Sequence, residues 1–232
     1  MAHLASFQYG KDLVRLLRVV RSPTDPSAHQ IAEYTVRCLL TGSALTTSYT
    51  QGDNSLVVPT DTVKNTINVL AKALDGQSIV LVPEAFALHV AHHFVNRYEH
   101  IEGAEVEVLS HRWSRIDLGK EGGGEHRHSF VRDGESLRTA RCVLRKSASI
   151  SGGGGGGGGG EPIEVEVLEG GLKNLLVLKS SGSAFYGFHT DELTTLRAVD
   201  DRVFSTAVDC VCEWCFPFTP PPFSLFLLGA LD

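Results

Sequence analysis

The sequence predicts an α+β fold: an antiparallel sheet with two helices on one face. Ala32, Tyr34, Val36, Cys38 and Leu40 alternate with Glu33, Thr35, Arg37 and Leu39, the period-two mark of a half-buried strand. Val63, Ile67, Leu70 and Leu74, and later Phe86, Val90 and Phe94, recur at helical spacing. The resulting order is strand, strand, helix, helix, strand, strand. An antiparallel sheet with both helices on one face satisfies it and leaves the other face for something else to cover.

Leu13 to Val20, dense in Leu and Val, is the first strand, and the Pro/Ser/Asp-rich segment from Ser22 to Ala28 is a hairpin loop leading to the second. The extended run before Pro59 gives way to a helical pattern at Thr60 and Asp61. A helix start has unpaired N–H groups and a positive dipole end, which suit a hydroxyl, a carboxylate or a bound anion, so Thr60-Asp61 reads first as a helix cap. Gly76 supplies the stop, and Pro83-Glu84 opens the second helix. After His100, Val106 and Val108 alternate with Glu105 and Glu107. Asp133-Gly134, within His128 to Leu144, signals a hairpin.

Nine consecutive glycines, Gly152 to Gly160, cannot hold regular structure at acceptable entropy and predict a flexible linker. It separates a first unit, residues 8–150, from a partial second one, residues 161–215. There Ile163 to Leu168 alternates, Leu175 to Lys179 reads as a buried strand, and Phe204 to Trp214 looks extended. The two helices are not repeated. Pro217, Pro220, Pro221 and Pro222 exclude a helix interior and a central strand, so residues 216–232 read as a tail foreign to the fold.

The composition, 42% hydrophobic and 21% charged, is that of a soluble globular protein. A formal net charge of −6 without a basic stripe argues against nucleic acid as a partner. No apolar run reaches the ~18 residues of a membrane span, and Met1 to Ser6 has no secretory pattern. Of five cysteines, Cys38 and Cys142 read as buried, reduced thiols of an intracellular protein. Cys210, Cys212 and Cys215 lack the fourth partner of a zinc site.

Several residues are candidates for chemistry. Lys11, in Tyr9-Gly10-Lys11-Asp12, is either a solvated surface charge or a base; a lysine acts as a base only when its surroundings lower an ordinary pKa of about 10.4. The Thr60 hydroxyl relays a proton beside a base and otherwise serves the helix end. His89 and His93, at i, i+4, lack the Glu of a zinc-protease helix, and of His126-x-His128, which could ligate a metal from one face of a strand, His126 sits in a Gly/Glu-rich loop. Phe185-Tyr186-Gly187-Phe188 with Arg202 offers a stacking face and a bidentate fork for a planar anionic ligand; ordinary core aromatics and a surface ion pair are the competing reading.

Taken together, these stretches resemble the urate oxidase (uricase) family. The matching pieces are Tyr9-Gly10-Lys11, Asp53-Asn54-Ser55 with Pro59 to Thr66, His111-Arg112-Trp113, His128 to Arg132, Leu176 to Phe188, Asp191 to Leu196 and Asp201 to Thr206, in family order. The resemblance implies tandem tunnelling-fold domains, the second incomplete, in a homotetramer with active sites at subunit interfaces. It implies oxidation of urate with O2 and water to 5-hydroxyisourate and hydrogen peroxide, with no metal or organic cofactor. Lys11 and Thr60 match the catalytic pair, Lys11 acting through the Thr60 hydroxyl. Thr60, Asp61, Phe185 and Arg202 form the substrate-binding set, Phe185 stacking on the purine and Arg202 pairing with its edge.

After Trp214 the family pattern stops. The valine–glutamine pair that holds urate, the asparagine that positions oxygen or water, and the histidine of the proton relay have no match. The expectation is therefore a C-terminally truncated uricase of impaired activity. A non-catalytic purine-binding remnant and the product of an incorrect gene model are its rivals, and a zinc-dependent pterin enzyme of the same fold is a distant one. The family resemblance suggests the peroxisome, but the chain ends Gly229-Ala230-Leu231-Asp232 without the usual targeting tripeptide, which leaves the cytoplasm.

Overall fold

The structure is a computed structural model and describes residues 4–22, 24–74, 78–120, 122–147 and 162–213. One antiparallel sheet has the order β1-β2-β3-β4-β5-β6, so every strand pairs with its neighbour in sequence. The strands are β1 (Tyr9–Arg21), β2 (His29–Thr41), β3 (Gly103–Asp117), β4 (Glu125–Lys146), β5 (Ile163–Lys179) and β6 (Phe204–Glu213). Between β2 and β3 run α1 (Thr46–Gln51), α2 (Thr60–Ala73) and α3 (Pro83–Arg97). The short α1, which buries no residue, has no apolar period and was not predicted.

The core lies between one face of β1–β5 and the two long helices. The alternation in β2 buries Ala32, Tyr34, Val36, Cys38 and Leu40, and α2 meets them with Val63, Ile67 and Leu70. Most of α3 is enclosed, including Phe86, Val90 and Phe94. Each large side chain buried in this way stabilises by about 1.5–3 kcal/mol before ordering entropy is charged against it. The Tyr34 hydroxyl donates to Val80 O at 2.6 Å, giving the one polar atom it carries inward a partner. Cys38 and Cys142 are buried as predicted, and burial pushes the Cys142 thiol up to about 12.

On the helix-free face of β2–β5 the same alternation presents charge. Arg37 pairs with Glu107 at 2.9 Å, Arg141 with Glu105 at 2.9 Å and with Glu169 at 3.5 Å, and Arg145 with Glu166 at 2.6 Å. This lattice is polar enough to stand in water. The far end of β5 is instead apolar and open, with Leu176 73% and Leu178 66% exposed.

Two sequence expectations need correction. Asp133-Gly134 is not a hairpin: β4 runs on through it, and the register break between His111 and Trp113 leaves residues 133–136 as a bulge. The reversal lies between Leu118 and Gly124, where Leu118 N–H donates to Gly124 O at 3.0 Å. Gly134 at φ 72° satisfies a bulge as readily as a turn, so the dipeptide signals a positive φ rather than a reversal. Leu175 to Lys179 is likewise not a buried strand but the exposed end of β5. Gly76, the Gly152–Gly160 run, Cys215 and the tail 216–232 lie outside the described residues.

The β5–β6 hairpin repeats β1–β2 residue for residue. Gly10 faces Leu39 and Lys11 faces Cys38; Gly171 faces Val211 and Leu172 faces Cys210. In each pair a bulge follows, with a non-glycine residue at positive φ, Leu13 at 56° and Asn174 at 57°. Pairing then resumes at Val14–Val36 and at Leu175–Val208. Both glycines are needed for close approach, since a Cβ at Gly10 would lie 1.9 Å from Cys38 O and one at Gly171 2.3 Å from Cys210 O. The copies differ at the hairpin tip: seven residues separate β1 from β2, whereas the long loop 180–203 separates β5 from β6.

If the core is the interlock of α2 and α3 with the sheet, Phe86→Ala will lower unfolding free energy by about 3–5 kcal/mol. Val69→Ala, on the outer face of α2 and 63% exposed, will stay within about 0.5 kcal/mol of the parent. Urea titration checks both.

Candidate functional site

The first candidate group lies where β1 begins beside the start of α2. Tyr9 and Lys11 pair with Leu40 and Cys38, which point to the helix-bearing side. The Tyr9 hydroxyl accepts the Val58 N–H at 2.9 Å, tying β1 to the segment that enters α2. Asp53 shapes the approach by accepting the Ser55 N–H at 2.9 Å. Two residues past Val58, Thr60 opens α2 with an exposed side chain.

Thr60 is not the cap that the sequence suggested. Pro59 holds the N-cap position, with no side-chain capping hydrogen bond, and Thr60 is the first helical residue. Proline's fixed φ suits this boundary, and having no N–H it leaves no donor unpaired. The first N–H groups of α2 therefore receive no capping side chain at the positive end of a 14-residue helix, beside the exposed Thr60.

Asp61 is the next residue. It accepts Lys64 Nζ at 2.5 Å and Asn65 Nδ2 at 2.9 Å. The Lys64 contact above all, with Asn65 and the Lys11 charge adding to it, holds the Asp61 carboxyl below the usual range. Lys11 lies two residues past Tyr9 on β1, and Thr60 two residues past Val58, so the Tyr9–Val58 bond brings Lys11 and the Thr60-Asp61 start of α2 to one corner of the molecule.

The second group lies in the loop 180–203. Arg202 Cζ stands 4.9 Å from the Phe185 ring centroid, and the Phe188 ring stacks on Phe185 at 4.9 Å and 10°. Backbone bonds exchanged between Phe185 and Val199, at 3.0 and 3.1 Å, fix the start of the loop against its end. Asp201 fastens the same junction: its carboxylate accepts the Ser181 hydroxyl at 2.8 Å and the Gly182 N–H at 2.6 Å. These bonds hold the Asp201 carboxyl below the usual range. Arg202 Nε is buried with no hydrogen-bond partner among the described residues, a donor available to an acceptor.

The two groups are not brought together. β1 and β6 are the opposite edges of the sheet, and Lys11 and the β5–β6 tip lie toward opposite ends of the strands. With strands ~4.8 Å apart and ~3.3 Å of rise per residue, the separation is on the order of 40 Å along the sheet. One chain therefore holds the two groups of matched residues apart.

The histidine candidates stay apart from both. His89 and His93 are part-buried on α3, and burial lowers both their pKa values and favours the neutral rings. The His126 ring stands edge-on to His128 at 4.5 Å. No group of three His, Cys, Asp or Glu side chains among the described residues is arranged to hold a metal ion, and no helix there is long and apolar enough to cross a membrane. Cys210 and Cys212 are exposed on β6. Sequence reasoning gave no separate role to Tyr9 or Asp201, whose only signal was their place inside the matching stretches.

Comparison with known proteins supplies the family. A family model described as Uricase matches residues 7–143 and 168–223. The chain is 39% identical over 211 residues to a uricase of Cyberlindnera jadinii, covering 91% of this chain and 62% of that protein. It is 43% identical over 202 residues to one of Schizosaccharomyces pombe, covering 87% and 60%. Among solved structures, a uricase from Arthrobacter globiformis superposes with a TM-score of 0.69 at 28% identity, over 100% of this chain and 68% of that one. One from Bacillus fastidious gives 0.72 at 27%, over 90% and 65%. The chain spans about three-fifths of the length of the curated relatives it matches.

Two outcomes are expected for the residues that hold each group. Tyr9→Phe strands the Val58 N–H and will lower stability by about 1–3 kcal/mol in denaturant titration. Because Asp201 titrates below its unfolded value, its bonds contribute above the ordinary carboxylate pKa of about 3.9 and are lost as pH falls through the folded value. The protection of the Gly182 amide, measured against its intrinsic exchange rate at each pH, will therefore be high at neutral pH and fall on acidification below about pH 4. Asp201→Asn will lower that protection already at pH 7.

Proposed function

The chain belongs to the uricase family, and from that premise we propose that it is a urate oxidase polypeptide. It converts urate, O2 and water to 5-hydroxyisourate and hydrogen peroxide, using neither metal nor organic cofactor. The observation that supports the reading is where the matched residues lie: Lys11 and Thr60 flank the Tyr9–Val58 bond that ties β1 to the entry of α2, and Phe185 stands beside Arg202 in the loop 180–203.

In the first half-site, Lys11 takes a proton from urate through the Thr60 hydroxyl. The uncapped N–H groups of α2 favour the anion that results. In the second, the purine stacks on Phe185 in place of Phe188 or Arg202, which now touch that ring. The freed guanidinium then meets the purine's carbonyl and nitrogen edge, and the unpartnered Nε–H gains an acceptor. Since one chain holds the half-sites far apart, a complete site forms where the Lys11 corner of one copy meets the Phe185 corner of another, in a homotetramer. Residues 8–150 and 161–215 act as two tandem units of this assembly, as the repeated register of β1–β2 and β5–β6 supports. A peroxisomal location is carried over from the family resemblance alone.

Purified chain incubated with urate in air will lose the purine ultraviolet band and release peroxide in equal amount. Lys11→Ala will cut kcat by about 10²–10⁴-fold. Arg202→Ala will mainly raise KM, by about 10–100-fold. Urate left intact by the unmodified chain, or full turnover by Lys11→Ala, contradicts the proposal.

A further inference from the structure

We infer that the β-bulge at Asp12-Leu13 is the device that turns Lys11 toward the helix-bearing side, which makes Asp12 and Leu13 positioning residues for it. The inference rests on reading Lys11 as the base. Along β1 the even-numbered Val14, Leu16 and Val20 face the core. A regular strand would continue that parity through residues 12 and 10, leaving Lys11 on the opposite face with Arg15 and Leu17. The observed pairing is different. Val14 faces Val36 but Lys11 faces Cys38, so Asp12 and Leu13 together oppose the single residue Arg37. One extra residue reverses the parity, and Tyr9 and Lys11 point to the side that carries α2.

The bulge is held open against a backbone penalty. Leu13 sits at φ 56°, a conformation leucine seldom adopts, with its side chain 74% exposed and so stabilised by little packing. Its N–H, which could donate to a regular ladder, goes to Asp12 Oδ1 at 2.6 Å. The second copy of the bulge, at Asn174, gets its acceptor from across the strand pair: Asn174 N–H donates to Asp209 at 2.7 Å. There Leu172 occupies the position of Lys11. The backbone device occurs twice, but the amine it aims occurs once.

Cross-strand trapping reads the parity directly. In a chain with Cys210, Cys212 and Cys215 changed to Ser, Lys11→Cys will oxidise onto the native Cys38 that faces it. Leu13→Gly against Leu13→Val reads the bulge: glycine accepts the positive φ, and valine does not. Leu13→Gly will keep the trapping yield onto Cys38. Leu13→Val favours a ladder that runs on without the bulge, in which position 13 faces Arg37 and position 11 faces residue 39, so trapping onto Cys38 will fall and Leu39→Cys will capture position 11. Equal trapping onto Cys38 by the two variants overturns the inference.

In the otherwise native chain, Leu13→Gly will retain urate turnover. Leu13→Val will lower it on the order of 100-fold, and an added primary amine will partly restore it, as it will for Lys11→Ala. A folded Leu13→Val variant with undiminished turnover contradicts the positioning role. Absence of turnover in the unmodified chain would instead remove the urate reading and leave trapping to decide the bulge.

Discussion

A strand can show only alternate residues to a core, and nearly everything here follows from that constraint. Because α2 and α3 cover one face, each strand's register is fixed: a slip of one residue would put Arg37 where Val36 or Cys38 is buried. The same rule fills the other face with Arg–Glu pairs. A bulge is the cheapest way to change face without losing the ladder. β1 uses one where the chain has to bury Val14 and Leu16 on the helix-bearing side and also aim Lys11 there.

The constraint also explains what the sequence revealed. Elements with a one-sided apolar period were legible: β2 from Ala32 to Leu40, α2 from Val63 to Leu70, α3 from Phe86 to Phe94. Where the signal was a positive φ, it was ambiguous. Asp133-Gly134 suits a turn and a bulge alike, and β3 extends far enough on both sides to pair with β4 through it. Leu175 to Lys179 looked buried because composition marks a strand without saying what covers it. Leu13 gave no hint of its conformation, since a leucine among Leu and Val reads as an ordinary strand residue. Thr60 was found at the helix start but one position off, because Pro59 already holds the cap.

The candidate site was legible only through the matching stretches. No local rule links Lys11 to Thr60 across that length of chain, and none links Phe185 to Arg202. The contacts that join them, Tyr9 with Val58 and Asp201 with Ser181 and Gly182, come from residues with no chemistry of their own to advertise. Placing the loop 180–203 at the tip of β5–β6 puts its aromatic ring and guanidinium at the far edge from Lys11. The fold therefore keeps Lys11 and Thr60 on one border and Phe185 and Arg202 on another, each group held by its own contacts. The proposed site, which uses both, would need two copies.

Mixing two defective chains tests this division most directly. Lys11→Ala and Arg202→Ala copies are co-assembled by mild denaturation and refolding, and urate consumption is followed at a urate concentration far below the raised KM of the Arg202→Ala chain, where each variant alone is slow. The account predicts that the mixture regains a substantial part of the unmodified chain's rate, because some interfaces then join an intact Lys11 corner to an intact Arg202 corner. A mixture no faster than the sum of its parents, while the unmodified chain treated alongside is active, would contradict it.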